Sequence, residues 1–260
     1  MTTARSPQAN LAVEYGMHAL DNPIWKALTT AQAHLAQAAG AARKFPPEIT
    51  PLGGFPEPNE ESYDSLAELL GKQPAVGVFY DSPPIVPAGW TIFQGGPLLQ
   101  MIHEDGAEGA GLVSPIPGFV ELNAADVPEM VALAELTKPG PFSTRTYELG
   151  GFVGIRREGR LAAMAGERLR APGYTEVSAV CTHPDFLGRG YAAFLMQTVM
   201  ERIRGRGETP FLHVRAENAR AIALYERLGF RTRVQLHYAV VRKPEAGVPL
   251  GTPRETASRE

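Results

Sequence analysis

Val177-Ser178-Ala179-Val180-Cys181-Thr182-His183-Pro184-Asp185-Phe186-Leu187-Gly188-Arg189-Gly190-Tyr191-Ala192 is the stretch on which the reading of this chain turns. Its first six residues close a segment, Tyr174–Thr182, rich in β-branched side chains, so they read as a strand. Ala192, Leu195, Met196, Val199 and Ile203 then recur at helical spacing over residues 188–204. A strand therefore passes through a glycine-bearing loop directly into an amphipathic helix. The first N–H groups of a helix have no partners within it and lie at the positive end of its dipole. A glycine loop at that point can cradle an oxyanion. Two glycines alone fit equally well a tight turn that needs φ > 0.

The flanking segments extend the pattern. Phe119–Leu122 reads as a strand, and Asn123 caps a helix carrying Val127, Met130, Val131 and Ala134 that ends at Lys138-Pro139-Gly140-Pro141. Residues 152–157 and 160–168 read as a hairpin about Glu158-Gly159. Residues 211–215 form a strand, Asn218 caps a short helix stopped by Gly229, and residues 232–242 form the last strand. The order is β-α-β-β-β-α-β-α-β. Upstream, Asp21-Asn22-Pro23 starts a helix whose Ile24, Leu28, Ala31 and Leu35 run to a stop at Gly40. A second helix covers residues 62–70. Three strands follow at 75–80, 89–93 and 97–103, with Gly95-Gly96 as a turn, so residues 11–104 read as two helices and an antiparallel sheet.

Asn218, Ala221, Tyr225, Gly229 and Phe230 match N-x-x-A-x-x-x-Y-x-x-x-G-F, and Gly188 and Gly190 match the glycines of Q/R-x-x-G-x-G/A. Together, in this order of elements, they resemble the GNAT N-acetyltransferase superfamily, over about residues 118–243, and most closely its FR47-like group. Asp185 stands where Gln or Arg is usual in that pattern. The resemblance implies an α/β (α+β) acyl-CoA N-acyltransferase fold with a mixed, mostly antiparallel sheet flanked by helices. It also implies an organisation with a degenerate GNAT-like half at 11–104, a linker at 105–117, the acetyltransferase domain at 118–243 and a disordered tail at 244–260.

What the resemblance implies for function is transfer of an acetyl group from acetyl-CoA directly to a primary amine of a small molecule or peptide. Phe186, Leu187, Gly188, Arg189, Gly190, Tyr191 and Ala192 would present backbone N–H groups to the pyrophosphate. Val180, Cys181 and Thr182 would carry the pantetheine arm, with Val180 and Thr182 pairing through backbone. Asn218 and Ala221 would face that arm too, and Tyr225 would protonate the leaving thiolate, a role open to a phenol at neutral pH. A backbone N–H near Val180 would meet the oxyanion. Glu176 is the expected general base. Arg145, Glu148 and Glu167 are the expected substrate contacts. An acyl-cysteine at Cys181 is the lesser route, since a strand cysteine is more often an inert small hydrophobe. The alternative to an enzyme is a CoA-binding or interaction module that kept the fold without turnover.

Bulk properties narrow the field. The 260 residues contain one cysteine, which cannot form an internal disulfide and fits a reducing cytoplasm. Residues 1–110 carry five Lys/Arg against twelve Asp/Glu, and the remainder twenty against sixteen. The basic half suits an anionic ligand but is too mild for nucleic acid. The six histidines lack ligand spacing, so no metal is expected. No segment is apolar and long enough to span a membrane. The expected partners are acetyl-CoA and an amine, with no nucleic acid or membrane, and a homodimer is compatible with the sequence.

Overall fold

A computed structural model describes residues 18–104 and 116–243. The expected tail at 244–260 and nearly all of the expected linker at 105–117 lie outside the described residues. In chain order the elements are α1 (Pro23–Thr29), β1 (Gln37–Ala39), β2 (Ala42–Lys44), β3 (Gly53–Gly54), α2 (Glu60–Leu70), β4 (Ala75–Tyr80), β5 (Thr91–His103), β6 (Phe119–Leu122), α3 (Val127–Thr137), β7 (Phe152–Arg157), β8 (Arg160–Ala171), β9 (Tyr174–Thr182), α4 (Tyr191–Gly205), β10 (Thr209–Arg215), α5 (Ala219–Arg227) and β11 (Phe230–Arg242).

Eight strands form one sheet in the order β4-β11-β5-β10-β9-β8-β7-β6, and β1, β2 and β3 form a small separate one. All neighbours in the large sheet are antiparallel except β9 and β10. This is the mixed, mostly antiparallel sheet expected. Alternation sends successive side chains to opposite faces. Val153, Ile155, Leu212 and Val214 meet Leu195, Met196, Val199 and Ile203 of α4 on one face. Phe152 and Met164 meet Met130 and Leu133 of α3, and Phe211 meets Ile24 and Leu28 of α1, on the other. Each fully buried side chain of this size contributes roughly 1.5–3 kcal/mol, so α4 is fixed firmly against the sheet.

Three expectations are corrected. α1 is capped by Asn22 as read, but it ends at Thr29. The hydroxyls of Thr29 and Thr30 bond back to the carbonyls of Trp25 and Lys26, competition that favours a helix end. Leu35 lies in a 3-10 turn, Ala33–Leu35, before β1. The two strands expected at 89–93 and 97–103 are one strand, β5, which runs through Gly95-Gly96. A Cβ at Gly95 would sit 2.6 Å from the Tyr238 carbonyl oxygen, so the glycine serves close strand approach rather than a turn. Finally, β4 and β5 are not partners: β11 lies between them, and β5 is bonded on its other side to β10. The expected halves at 11–104 and 118–243 therefore share one sheet.

Candidate active site

The parallel ladder of β9 and β10 is short. It pairs Tyr174 with Thr209, Thr175 with Pro210 and Glu176 with Phe211, and there it stops. β9 continues to Thr182 and β10 to Arg215, so the two strands form a fork open at their C-terminal ends. Beside the fork β9 bulges: Met164 and Gly166 of β8 face Cys181 and Ser178, leaving one extra residue between. Ala179, within the bulge, has φ 53°, a left-handed conformation that a non-glycine residue adopts at a cost. A bulge frees backbone groups from the ladder, which is what an oxyanion-binding N–H requires.

From the open end of the fork a 3-10 turn, Pro184–Phe186, leads through Leu187 to Gly188-Arg189-Gly190 and into α4. Both glycines have φ 75°, so the turn itself demands them. A Cβ added at either would meet nothing within 4 Å, so the outer side of the loop is open space. Gly190 caps α4, no side chain bonds to the exposed N–H groups, and the first turn carries no acid. α5 closes the other wall. The Asn218 side chain accepts from the Ala221 N–H at 3.1 Å, which leaves its amide NH₂ free to donate.

The resulting cleft has a volume of about 410 Å³. The structure brings into its lining every residue expected at the cofactor, from Val180, Cys181 and Thr182 through Phe186 to Ala192, with Asn218 and Ala221, and it adds Tyr225. Leu224, Arg220 and Arg227 line it as well. Sequence reading missed those three, although Arg220 and Arg227 share a face of α5 with Leu224 at helical spacing. The lining holds three arginines and no carboxylate. Arg160 and Arg189 both stack on the Phe186 ring, 5.0 and 5.1 Å from its centre. Asp185, the residue discordant with the motif, does not line the cleft. Its carboxylate meets Arg160 at 3.2 Å and its N–H meets His183 Nδ1. The uncapped N–H groups, the open glycine loop and the unopposed positive charge fit a pyrophosphate.

Tyr225 packs edge-on against Phe230, 6.3 Å between ring centres. Burial pushes its hydroxyl up to about 12, so it stays protonated at neutral pH. Burial likewise raises the Cys181 thiol to about 11, which makes it a poor nucleophile.

Glu176, expected as the general base, is instead fully buried on the opposite face and committed elsewhere. Arg168 donates to it twice, Nε to Oε2 at 2.9 Å and Nη2 to Oε1 at 2.6 Å, and His213 Nδ1 lies 2.7 Å from Oε1. Burial alone would raise its pKa, but Arg168 and His213 outweigh burial and hold it at about 2. A carboxylate so stabilised is a weak base. The expected substrate contacts are also paired off. Arg145 grips Glu148 at 2.7 Å and lies 3.6 Å from Glu48, and buried Glu167 meets Arg206 at 3.0 Å. None of the three lines the cleft.

Comparison with known proteins places this geometry. The FR47-like protein family matches residues 152–239, which span the bulge, the loop, α4 and α5. A ribosomal protein bS18-alanine N-acetyltransferase from Salmonella typhimurium is 33% identical over 117 residues, covering 42% of this chain and 77% of that protein. A crystal structure assigned to the GNAT acetyltransferase family, from Novosphingobium aromaticivorans, is 42% identical with a TM-score of 0.79, covering 88% of this chain and all of that one. The chain belongs to the GNAT family of acetyltransferases. A GNAT protein from Kribbella flavida, 18% identical with a TM-score of 0.53 over 84% of this chain and 95% of that one, shares the fold. As a GNAT member the chain is an acyltransferase, and acetyl-CoA is the acyl donor that membership implies. Among the described residues no group of three or more His, Cys, Asp or Glu could hold a metal ion.

Proposed function

We propose that this GNAT enzyme transfers an acetyl group from acetyl-CoA directly to a primary amine of a small molecule or peptide, with Tyr225 as the proton donor. The observation that carries the reading is that one cleft holds three features. It joins the uncapped N-terminus of α4, the bulged strand at the fork and the Tyr225 hydroxyl. Bound acetyl-CoA supplies an activated acyl group and a thiolate leaving group. Backbone N–H groups from Leu187 to Ala192 hold its pyrophosphate, and Arg189, Arg220 and Arg227 add long-range attraction for phosphate charge. Val180 and Thr182 offer strand edges to the pantetheine amides, and the Asn218 NH₂ donates to the same arm. The bulge at Ala179 aims an N–H at the developing oxyanion. Tyr225, kept neutral by burial, donates its proton to the departing sulfur, and the proton that the attacking amine sheds passes through solvent to restore the phenol.

The acceptor enters from the fork. The Salmonella relative is named for acetylating an alanine of a ribosomal protein, so a peptide with a free α-amine leads the acceptor panel. Amino acids and polyamines complete it. The test is release of free thiol from acetyl-CoA with each amine. Tyr225→Phe should lower kcat on the order of 10²- to 10⁴-fold while calorimetric affinity for CoA stays as in the parent. Calorimetry with no CoA binding to the parent, or full turnover by Tyr225→Phe, would sink the assignment.

A further inference from the structure

We propose that Arg168, Glu176, His213, Gln100 and Arg233 form one transverse brace that sets the opening of the fork, with His213 as the positioning residue that joins its two halves. Its effect on rate rests on the acyl-transfer reading above; its geometry does not.

The five side chains come from five adjacent strands, β8, β9, β10, β5 and β11 in sheet order. They are joined without a gap. Arg233 Nε donates to Gln100 Oε1 at 2.6 Å. That fixes the amide, and Gln100 Nε2 then faces the Leu20 carbonyl at 2.9 Å and His213 Nε2 at 3.1 Å. An amide nitrogen only donates, so His213 Nε2 must accept. The imidazole proton is therefore on Nδ1, which donates to Glu176 Oε1 at 2.7 Å. Arg168 closes the chain with its two bonds to the same carboxylate. Arg233 reaches the brace because it is the extra residue of a bulge in β11, between Thr232 and Val234. Its other nitrogen is anchored on Asp21 at 2.5 Å.

The position of this chain is what gives it a role. Backbone pairing between β9 and β10 ends at Glu176 and Phe211. Continued by two more pairs, the register would set His213 against Ser178. Instead the Glu176–His213 side-chain bond spans the strands just where backbone bonds cease. A longer or absent bond lets the fork widen, and a shift of about 1 Å at a reacting centre costs up to 10²-fold in rate.

The brace requires neutral His213. Glu176 from β9, Arg168 from β8 and Arg233 from β11 are the charged groups that face it. Gln100 of β5 and the rings of Phe79 from β4 and Phe211 from its own strand complete the surround. Burial, the largest influence, and the two arginines outweigh Glu176 and keep the imidazole below its ordinary range. A second proton would set an N–H against the Gln100 NH₂.

The test uses the full chain with ¹⁵N-labelled histidine. The imidazole signal lost in His213→Gln should report a neutral ring protonated on Nδ1 at neutral pH. A ring protonated on Nε2, or an imidazolium, overturns the brace. In the thiol-release assay His213→Phe keeps the ring volume and removes both bonds, and kcat should fall on the order of 10- to 100-fold. His213→Gln carries one donor and one acceptor and should recover most of that loss. Parent-like kcat in His213→Phe, or no recovery in His213→Gln, overturns the proposal. Should His213→Phe fail to fold by circular dichroism, Gln100→Leu breaks the chain one link away, and parent-like kcat there is equally fatal. If the parent acetylates no amine, the acyl-transfer reading fails, and the ring tautomer still decides the brace.

Discussion

Replacing Glu176 by Gln separates a structural anion from a general base. In the parent, three short hydrogen bonds from Arg168 and His213 hold the carboxylate at about 2, against an ordinary 4.5. At about 1.4 kcal/mol per unit, the gap is worth about 3 kcal/mol of folding free energy. Because the folded value is the lower one, this stability is fully present above the ordinary carboxylate range. It drains away as pH falls from about 4.5 towards about 2. Glu176→Gln removes the charge and leaves buried Arg168 uncompensated, a loss of about 3–5 kcal/mol. For a chain of this size that is a melting temperature lower by roughly 10 °C at neutral pH. The gap between parent and variant should narrow through the acid window, since the parent loses the same bonds there. Adding Arg168→Met should recover part of the loss, because it removes the stranded cation. Thermal melts followed by circular dichroism across pH measure all of this. A Glu176→Gln variant that melts within about 2 °C of the parent would refute the structural role, all the more if its pH–rate profile lost the limb of an essential base.

Other perturbations probe the cleft itself. Gly190→Ala meets no steric neighbour but forces alanine to φ 75°, a strain of roughly 1–2 kcal/mol. The fold should survive with a slightly lower melting temperature while calorimetric affinity for CoA falls, and unchanged affinity would mean the loop is only a turn. Cys181, whose thiol burial raises to about 11, should resist iodoacetamide in the native protein and react once urea unfolds it, as read by intact mass. Rapid labelling of the native chain would contradict its burial.

Much of the C-terminal part of the chain was legible because its signals are local. The strand–loop–helix at residues 177–192 and the Asn218–Phe230 helix fix their own backbone, through glycines at φ > 0 and an asparagine cap, and so fix what lines the cleft. The failures share a different cause. Gly95 reads as turn material until Tyr238, far along the chain, is known to lie against it. Glu176 reads as a free carboxylate at a strand end because nothing near it in sequence announces Arg168 and His213 as its partners. Arg145 and Glu148 sit in a loop of the kind that binds substrates, yet three residues apart they neutralise each other. Side-chain and backbone pairing, distant for Gly95 and for Glu176 with His213 and local for Arg145, decided these rather than propensity.

The place of β5 in the sheet has a consequence for how the molecule comes into being. On the ribosome β5 emerges with neither neighbour available, since β10 and β11 are made more than a hundred residues later. Its Ile102, Met101 and Leu99 wait for partners that close the sheet only with the last strand. Assembly is therefore largely post-translational and governed by slow, distant contacts, with two raw strand edges exposed meanwhile. A fragment begun at residue 118 would retain the acyl-transfer motifs and yet leave β10 and β11 facing each other across an empty berth.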